Sequence, residues 1–211
     1  MIKFLTKRIE KIAEYVNFKT IAEVGADHGY ITKYLFIQNK IKFAYLTDIS
    51  SKSLSKAQKN FDKDFKNQVS FLVGDGLNPL QNLVKNKPKQ IIIAGIGGKE
   101  IVKILAKNTF YTNFILQPQK NVVELRKFLL NNKYKILKDE VVKCGKMYYC
   151  VLKVKKVDKQ QVLTNNQILI NKPVKEILKM QIEIDKLLKR GEKHVWKIIR
   201  VSKIRWRNFA P

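Results

Sequence analysis

Ile21-Ala22-Glu23-Val24-Gly25-Ala26-Asp27-His28-Gly29-Tyr30 concentrates the residue types that do chemistry. Its apolar start predicts a strand and its end opens a helix, so Gly25 and Gly29 lie where backbone approaches a ligand closely. A dinucleotide fingerprint wants glycine at the position of Asp27, because a carboxylate there repels a pyrophosphate. Asp48 follows Gly25 by 23 residues. A carboxylate at that spacing can accept hydrogen bonds from both hydroxyls of a ribose, although Asp before Ser50-Ser51 is equally a helix-capping pattern. Val73-Gly74-Asp75-Gly76 closes a third strand; Asp75 there either accepts from an adenine amino group or makes an ordinary Asp-Gly turn.

Glu23, Asp48 and Asp75 thus end three consecutive predicted strands, and a cationic nucleoside suits them. S-adenosylmethionine, with a sulfonium, an ammonium and no phosphate, is such a ligand. The fourth strand runs into Ala94-Gly95-Ile96-Gly97-Gly98, whose glycines permit close approach of cofactor or substrate. The (Asp/Asn)-Pro-Pro-(Tyr/Phe) motif of enzymes that methylate exocyclic amino groups is absent there. Leu116-Gln117-Pro118-Gln119 ends the fifth strand, where the amides either touch a base edge or form a turn.

These loops need a parallel sheet to bring them to one edge. Hydrophobic periodicity predicts helices over 2–16, 30–39, 51–65, 78–86, 98–107 and 121–131, alternating with strands at 20–24, 43–47, 69–73, 90–94 and 112–117. Two further extended segments, 135–143 and 147–155, meet at Gly145-Lys146 as a hairpin. Five strand–helix units followed by an antiparallel hairpin are the layout of an α/β, Rossmann-like class I methyltransferase with a mixed seven-stranded sheet. A boundary at 156/157 divides this catalytic domain (1–156) from a C-terminal unit (157–211). In the latter, Pro173, Val174, Ile177, Leu178, Ile184 and Leu188 predict one helix, Gly191 a turn, and 194–208 a second helix: a small, coiled-coil-like helical hairpin.

The chain has 211 residues and a formal net charge of +26. Phosphate neutralisation makes such an excess a signature of nucleic-acid partners. Lys, Ile and Asn together supply 77 residues, however, as an A/T-rich genome would impose on any protein. Lys186–Arg207 holds nine basic residues, Trp196 and Trp206, and four of the six arginines, a pairing that grips phosphates and stacks on bases. No apolar run reaches the ~18 residues of a membrane span. Cys144 and Cys150 make neither a disulfide framework nor a metal set. A cytoplasmic, metal-free monomer is expected.

EVGADHGY, TDIS, GDGL, AGIGG and LQPQ, in this order and spacing, resemble the bacterial tRNA (adenine-22-N1)-methyltransferase family, TrmK. The N-terminal Lys-Arg-Ile helix and the Cys-Gly-Lys-x-Tyr hairpin also match, so the resemblance covers about residues 1–156. Ala26 and Gly29 stand where Ser and Ala are common in that family. The resemblance implies a class I fold, S-adenosylmethionine as methyl donor and S-adenosylhomocysteine as product. It also implies N1 of adenine 22 in tRNA as acceptor, with a C-terminal helical pair that binds tRNA.

Cofactor binding is accordingly expected at Glu23, Gly25, Asp27, Gly29, Asp48, Ile49, Asp75, Gly76, Ala94, Gly95 and Gly97. Asp27 is the first catalytic candidate, as a carboxylate near a base that becomes cationic; orienting the cofactor or capping the helix is its other reading. His28 and Tyr30 are expected to position or stack the base. Lys7, Arg8 and Lys11, with Arg200, Arg205 and Arg207 in the tail, are expected to hold RNA. Alternatives are another class I methyltransferase acting on RNA or protein, and a non-catalytic RNA-binding protein with a relict cofactor fold. Intact Glu23, Asp48 and Asp75 disfavour the latter, and Asp27 disfavours a nicotinamide oxidoreductase.

Overall fold

Ile91, Ile92 and Ile93 are consecutive and all without exposed surface, which a strand achieves only when both faces of its sheet are covered. In the computed structural model of the chain, residues 6–61, 65–145 and 147–158 are described. Within them α1 (Lys7–Glu14), β1 (Thr20–Val24), α2 (Tyr30–Ile37), β2 (Phe43–Asp48) and α3 (Ser51–Phe61) come first. A short 3₁₀ turn at Lys66–Gln68 precedes β3 (Val69–Val73), α4 (Asn78–Gln81), β4 (Gln90–Ile96) and α5 (Gly98–Ala106). Then follow β5 (Asn113–Pro118), α6 (Val122–Asn131), β6 (Tyr134–Cys144) and β7 (Met147–Lys156).

The seven strands form one sheet in the order β3-β2-β1-β4-β5-β7-β6. The first five are parallel, while β7 runs antiparallel between β5 and β6. Successive strand residues face opposite ways, and the core divides accordingly. Ile21, Leu46, Ile92, Ile115 and Val151 pack with α1, α2 and α3 on one face. Ala22, Ile91, Ile93, Phe114, Leu116 and Leu152 pack with α4, α5 and α6 on the other. The expected α/β architecture with its terminal hairpin is therefore the observed one.

Differences from the expected spans have local causes. Residues 2–5 of the predicted 2–16 helix lie outside the described residues; Thr6 caps α1, its Oγ1 accepting from the Ile9 N–H at 3.4 Å. Helix α4 stops at Gln81 with Asn82 as its C-cap; the expected end at 86 is not reached, and Asn86 itself is left-handed (φ 54°) with Pro88 biasing Lys87 to an extended backbone. β4 runs on to Ile96 through a bulge between Ala94 and Ile96. The predicted C-terminal helical hairpin lies beyond Asp158, outside the described residues, as do Arg200, Arg205 and Arg207.

One buried ion pair ties the last helix to the last hairpin. Arg126 on α6 donates from Nε and Nη2 to the two carboxylate oxygens of Asp139 on β6, at 2.7 and 2.8 Å. The two side chains are 8% and 1% exposed, so each charge depends on the other, with Arg126 Nη2 also donating to Cys150 Sγ at 3.6 Å. Among the described residues no helix is long and apolar enough to cross a membrane.

Candidate functional site at the carboxyl edge of the sheet

Beyond Val24 the chain bends across the end of β2. The N–H groups of Gly25 and Ala26 both donate to the Thr47 carbonyl, at 2.8 and 3.1 Å. The Asp27 N–H donates to Asp48 Oδ2 at 3.3 Å, and the Ser50 N–H to Asp48 Oδ1 at 2.9 Å. Asp48 is thus the post around which the glycine-rich loop and the start of α3 are both fixed. Three of five loop residues have positive φ: Gly25 (71°), Asp27 (40°) and Gly29 (67°). At Gly29 the requirement is also steric, because a Cβ would sit 2.6 Å from Leu46 Cδ2 and 2.8 Å from Phe61 Cε2.

The left-handed turn presents the Asp27 side chain outward, 58% exposed. His28 Nε2 lies 3.7 Å from its Oδ2, and the His28 ring stacks on Tyr30 with centroids 5.0 Å apart and planes 6° from parallel. Asn60 Nδ2 donates to the His28 carbonyl at 2.9 Å and moors this corner to α3. The three residues expected to be catalytic are therefore neighbours at the carboxyl edge of the sheet.

Glu23 is at that edge but does not open into it. It is 5% exposed and turned under α2, where Oε2 accepts from the Thr32 N–H at 3.0 Å and the Thr32 hydroxyl at 2.6 Å. The α2 N-cap is Gly29, which has no side chain to cap with, so Glu23 supplies the acceptor from the strand below. Burial raises its carboxyl to about 7, against the hydrogen bonds from Thr32 and the charge of Arg8, which favour the anion. A folded-state value above the unfolded one means that the folded protein holds the proton more tightly. This stabilisation is complete below about pH 4.5 and fades as pH rises to about 7. In urea titrations, Glu23→Gln should therefore gain about 3 kcal/mol on the wild type between those pH limits. A constant difference across the range would refute the assignment.

Asp75 also sits at the edge, but its Oδ2 pairs at 3.0 Å with Nζ of Lys107, the C-cap of α5, beside a cleft lined by Gly76, Leu77 and Ile104. The three strand-end carboxylates thus share one edge while facing three different partners. Thr47 Oγ1 donates to the Gly76 carbonyl at 3.4 Å, joining the loops after β2 and β3. Ile49, just past Asp48, is 75% exposed. Near the end of β4, Gly95 is the extra residue of the bulge (φ 83°), and a Cβ there would meet nothing nearer than Gln119 Nε2 at 3.8 Å. At Gly97, a Cβ would collide with the Glu100 carboxylate.

Gln117 is not available to read a base. Its Oε1 accepts from Arg8 Nη1 at 2.9 Å, and its Nε2 donates to the Pro118 carbonyl at 2.9 Å, with the side chain fully buried. Arg8, expected on phosphates, is held by that bond and lies 5.3 Å from the centre of the Tyr149 ring. Lys11 is paired with Glu14 at 2.6 Å and Glu140 at 2.9 Å. Of the three α1 cations only Lys7 is exposed; Arg8 and Lys11 are half-buried. Sequence reasoning missed Thr32 and Lys107 at the site, and the Arg8–Gln117–Tyr149 contact that seats α1 on the sheet. The only sequence signal for Thr32 was its place in the first turn of α2.

The residues present fit a cationic nucleoside. The glycine backbone is uncrowded at Gly25 and Gly95, where a Cβ would meet nothing nearer than 3.6 and 3.8 Å; Asp48 offers acceptors at nucleoside spacing, and exposed Asp27 adds negative charge. Residues 5–152 match the family description of a methyltransferase domain. A Mycoplasma genitalium protein named as a candidate tRNA methyltransferase is 35% identical over 170 residues, covering 79% of this chain and 77% of that protein. The tRNA (adenine(22)-N(1))-methyltransferase of Bacillus subtilis strain 168 is 33% identical over 152 residues, 68% of this chain and 62% of its own length. Among solved structures, M. capricolum TrmK in complex with S-adenosylhomocysteine superimposes with a TM-score of 0.77 at 25% identity, covering 95% of this chain and 99% of that one.

Proposed function

We propose a reaction from the premise that this chain belongs to the methyltransferase-domain family and, within it, to the TrmK group: it transfers the methyl group of S-adenosylmethionine to N1 of adenine 22 in tRNA. The supporting observation is the glycine loop fixed on Asp48 with Asp27 exposed at its tip, an acidic cradle without a phosphate-binding glycine pattern. The methyl donor, when bound, supplies an electrophilic carbon on a positively charged sulfur. In this reading Asp48 accepts from the ribose hydroxyls, and Asp75 lies on the adenine side of the same crevice. The acceptor reading rests on the relatives named for adenine-22 N1 methylation.

N1 of adenine has an in-plane lone pair and needs no strong base, so the protein's part is alignment and charge stabilisation. The His28–Tyr30 stack offers a flat surface for a base drawn out of the tRNA core, an extraction that costs a few kcal/mol. Asp27 stands where positive charge grows on the base and accepts the N6 proton or stabilises it in place. We place the reaction in the cytoplasm and on a single chain.

Incubation with labelled methyl donor and unmodified tRNA should give a reverse-transcription stop at adenine 22; a product without that stop overturns the acceptor assignment. Asp27→Asn should lower kcat by roughly 10²–10³-fold, with S-adenosylhomocysteine affinity changed by less than about threefold. Near-wild-type turnover at unchanged affinity would leave Asp27 no catalytic part.

A further inference from the structure

Two like-charge pairs lie directly across the terminal hairpin: Lys138 opposite Lys153, and Lys135 opposite Lys155. Such juxtaposition is destabilising, so its occurrence twice in one ladder calls for a compensating role. Lys153 and Lys155 flank Val154, which is 1% exposed in the core on the α5–α6 face, so both lysines point to the opposite face. Lys135 and Lys138 are three residues apart and would ordinarily face opposite ways. The bulge between Ile136 and Lys138 turns them to the same side, as bulges do when they re-aim side chains.

The result is four lysines in two facing pairs on one sheet face, with Lys153 next to the C-terminal end of α1. Lys40 adds a fifth charge, its Nζ donating to the Ala13 carbonyl at 2.7 Å, and Asn17 Oδ1 can accept from Lys153 Nζ at 2.7 Å. Lys153 is held below the usual lysine range, first by burial and then by the charges of Lys138 and Lys40. The nearest acids are committed elsewhere: Glu14 and Glu140 to Lys11 on this face, and Asp139 to Arg126 on the other. Among the described residues none of the four lysines has an ion-pair partner. Lysines on an edge strand often serve to deter strand pairing, but Lys153 and Lys155 are on β7, which is interior to the sheet.

We propose that this lysine face is a docking surface for the sugar–phosphate backbone of the tRNA whose adenine enters the crevice; the inference rests on the function proposed above. Lys155 lies four residues along β7 from Val151, the level of Gln117, or about 13 Å below the carboxyl edge. One folded RNA can span that interval. Polyanion binding also relieves the repulsion that the free protein carries.

The test compares wild type with the full-length quadruple variants K135Q/K138Q/K153Q/K155Q and K135R/K138R/K153R/K155R, in tRNA binding over a salt series. Each phosphate contact contributes about 0.7–0.9 to the slope of log K against log salt. The glutamine variant should lose roughly 3 from that slope and bind tRNA more than about tenfold more weakly near 0.1 M salt. The arginine variant should keep both, and S-adenosylhomocysteine affinity should be unchanged in either. An unaltered slope in the glutamine variant overturns the proposal, as does an equal loss in the arginine variant. Glutamine-sensitive binding to phosphatidylserine vesicles with tRNA binding unaltered also overturns it, in favour of a membrane. If the wild type forms no tRNA complex, the proposed substrate fails and this surface with it. If the wild type binds tRNA and methylates adenine 22 while the glutamine variant matches it, only the surface fails.

Discussion

Arg126→Ala is expected to lower the unfolding free energy by about 3–5 kcal/mol, a large share of the 5–15 kcal/mol typical of a domain. The loss comes less from the missing attraction than from what remains. Asp139, 1% exposed, would keep a carboxylate in the core between α6 and β7 with no cation beside it. Asp139→Ala should cost about as much by stranding the guanidinium. The double variant Arg126→Met with Asp139→Leu removes both charges and should return to within about 1–2 kcal/mol of wild type. Urea midpoints of the four proteins check this. If the double variant is as unstable as the sum of the singles, the cost lies in packing and not in an uncompensated charge.

Asp48→Ala should weaken S-adenosylhomocysteine binding on the order of 10²-fold while costing only about 1 kcal/mol of stability. Asp48 does two things at one atom pair. Its oxygens fix the backbone N–H groups of Asp27 and Ser50, and they lie at the β2 end where a ribose is proposed to bind. Losing it frees the loop and removes the acceptors together. Asp48→Asn keeps one acceptor and should fall between the two. Calorimetric titration measures this; an affinity within about threefold of wild type for the alanine variant would remove Asp48 from the site.

The central strands were legible because they carry apolar runs that only a doubly covered sheet can bury, as at Ile91-Ile92-Ile93. The glycine loop was legible too, since Gly29 is demanded by a left-handed backbone and by the closeness of Leu46 and Phe61. Glu23 was read at the right edge but with the wrong exposure. Strand alternation puts it on the face of Ile21, under α2, where burial and Thr32 govern it. Arg8 and Lys11 read as free cations because a sequence does not show that Gln117, Tyr149 and Glu140, more than 100 residues away, come to meet them. The lysine face was hidden for a similar reason. A bulge is a defect of register between two strands, and at Ile136–Lys138 nothing in the residue types announces it.

The contact of α1 with β6 and β7 bears on how the protein is made. Lys11 meets Glu140, and Arg8 meets Tyr149, so α1 docks on two strands, β6 and β7, that are synthesised more than 100 residues after it. β7 must also slot between β5 and β6, so the β5 edge has no partner until residues 147–156 are synthesised. Closure is therefore a late, long-range event of high contact order, and the apolar edge around Ile115 stays open throughout elongation. The nascent chain, more than the finished enzyme, is the species most exposed to aggregation.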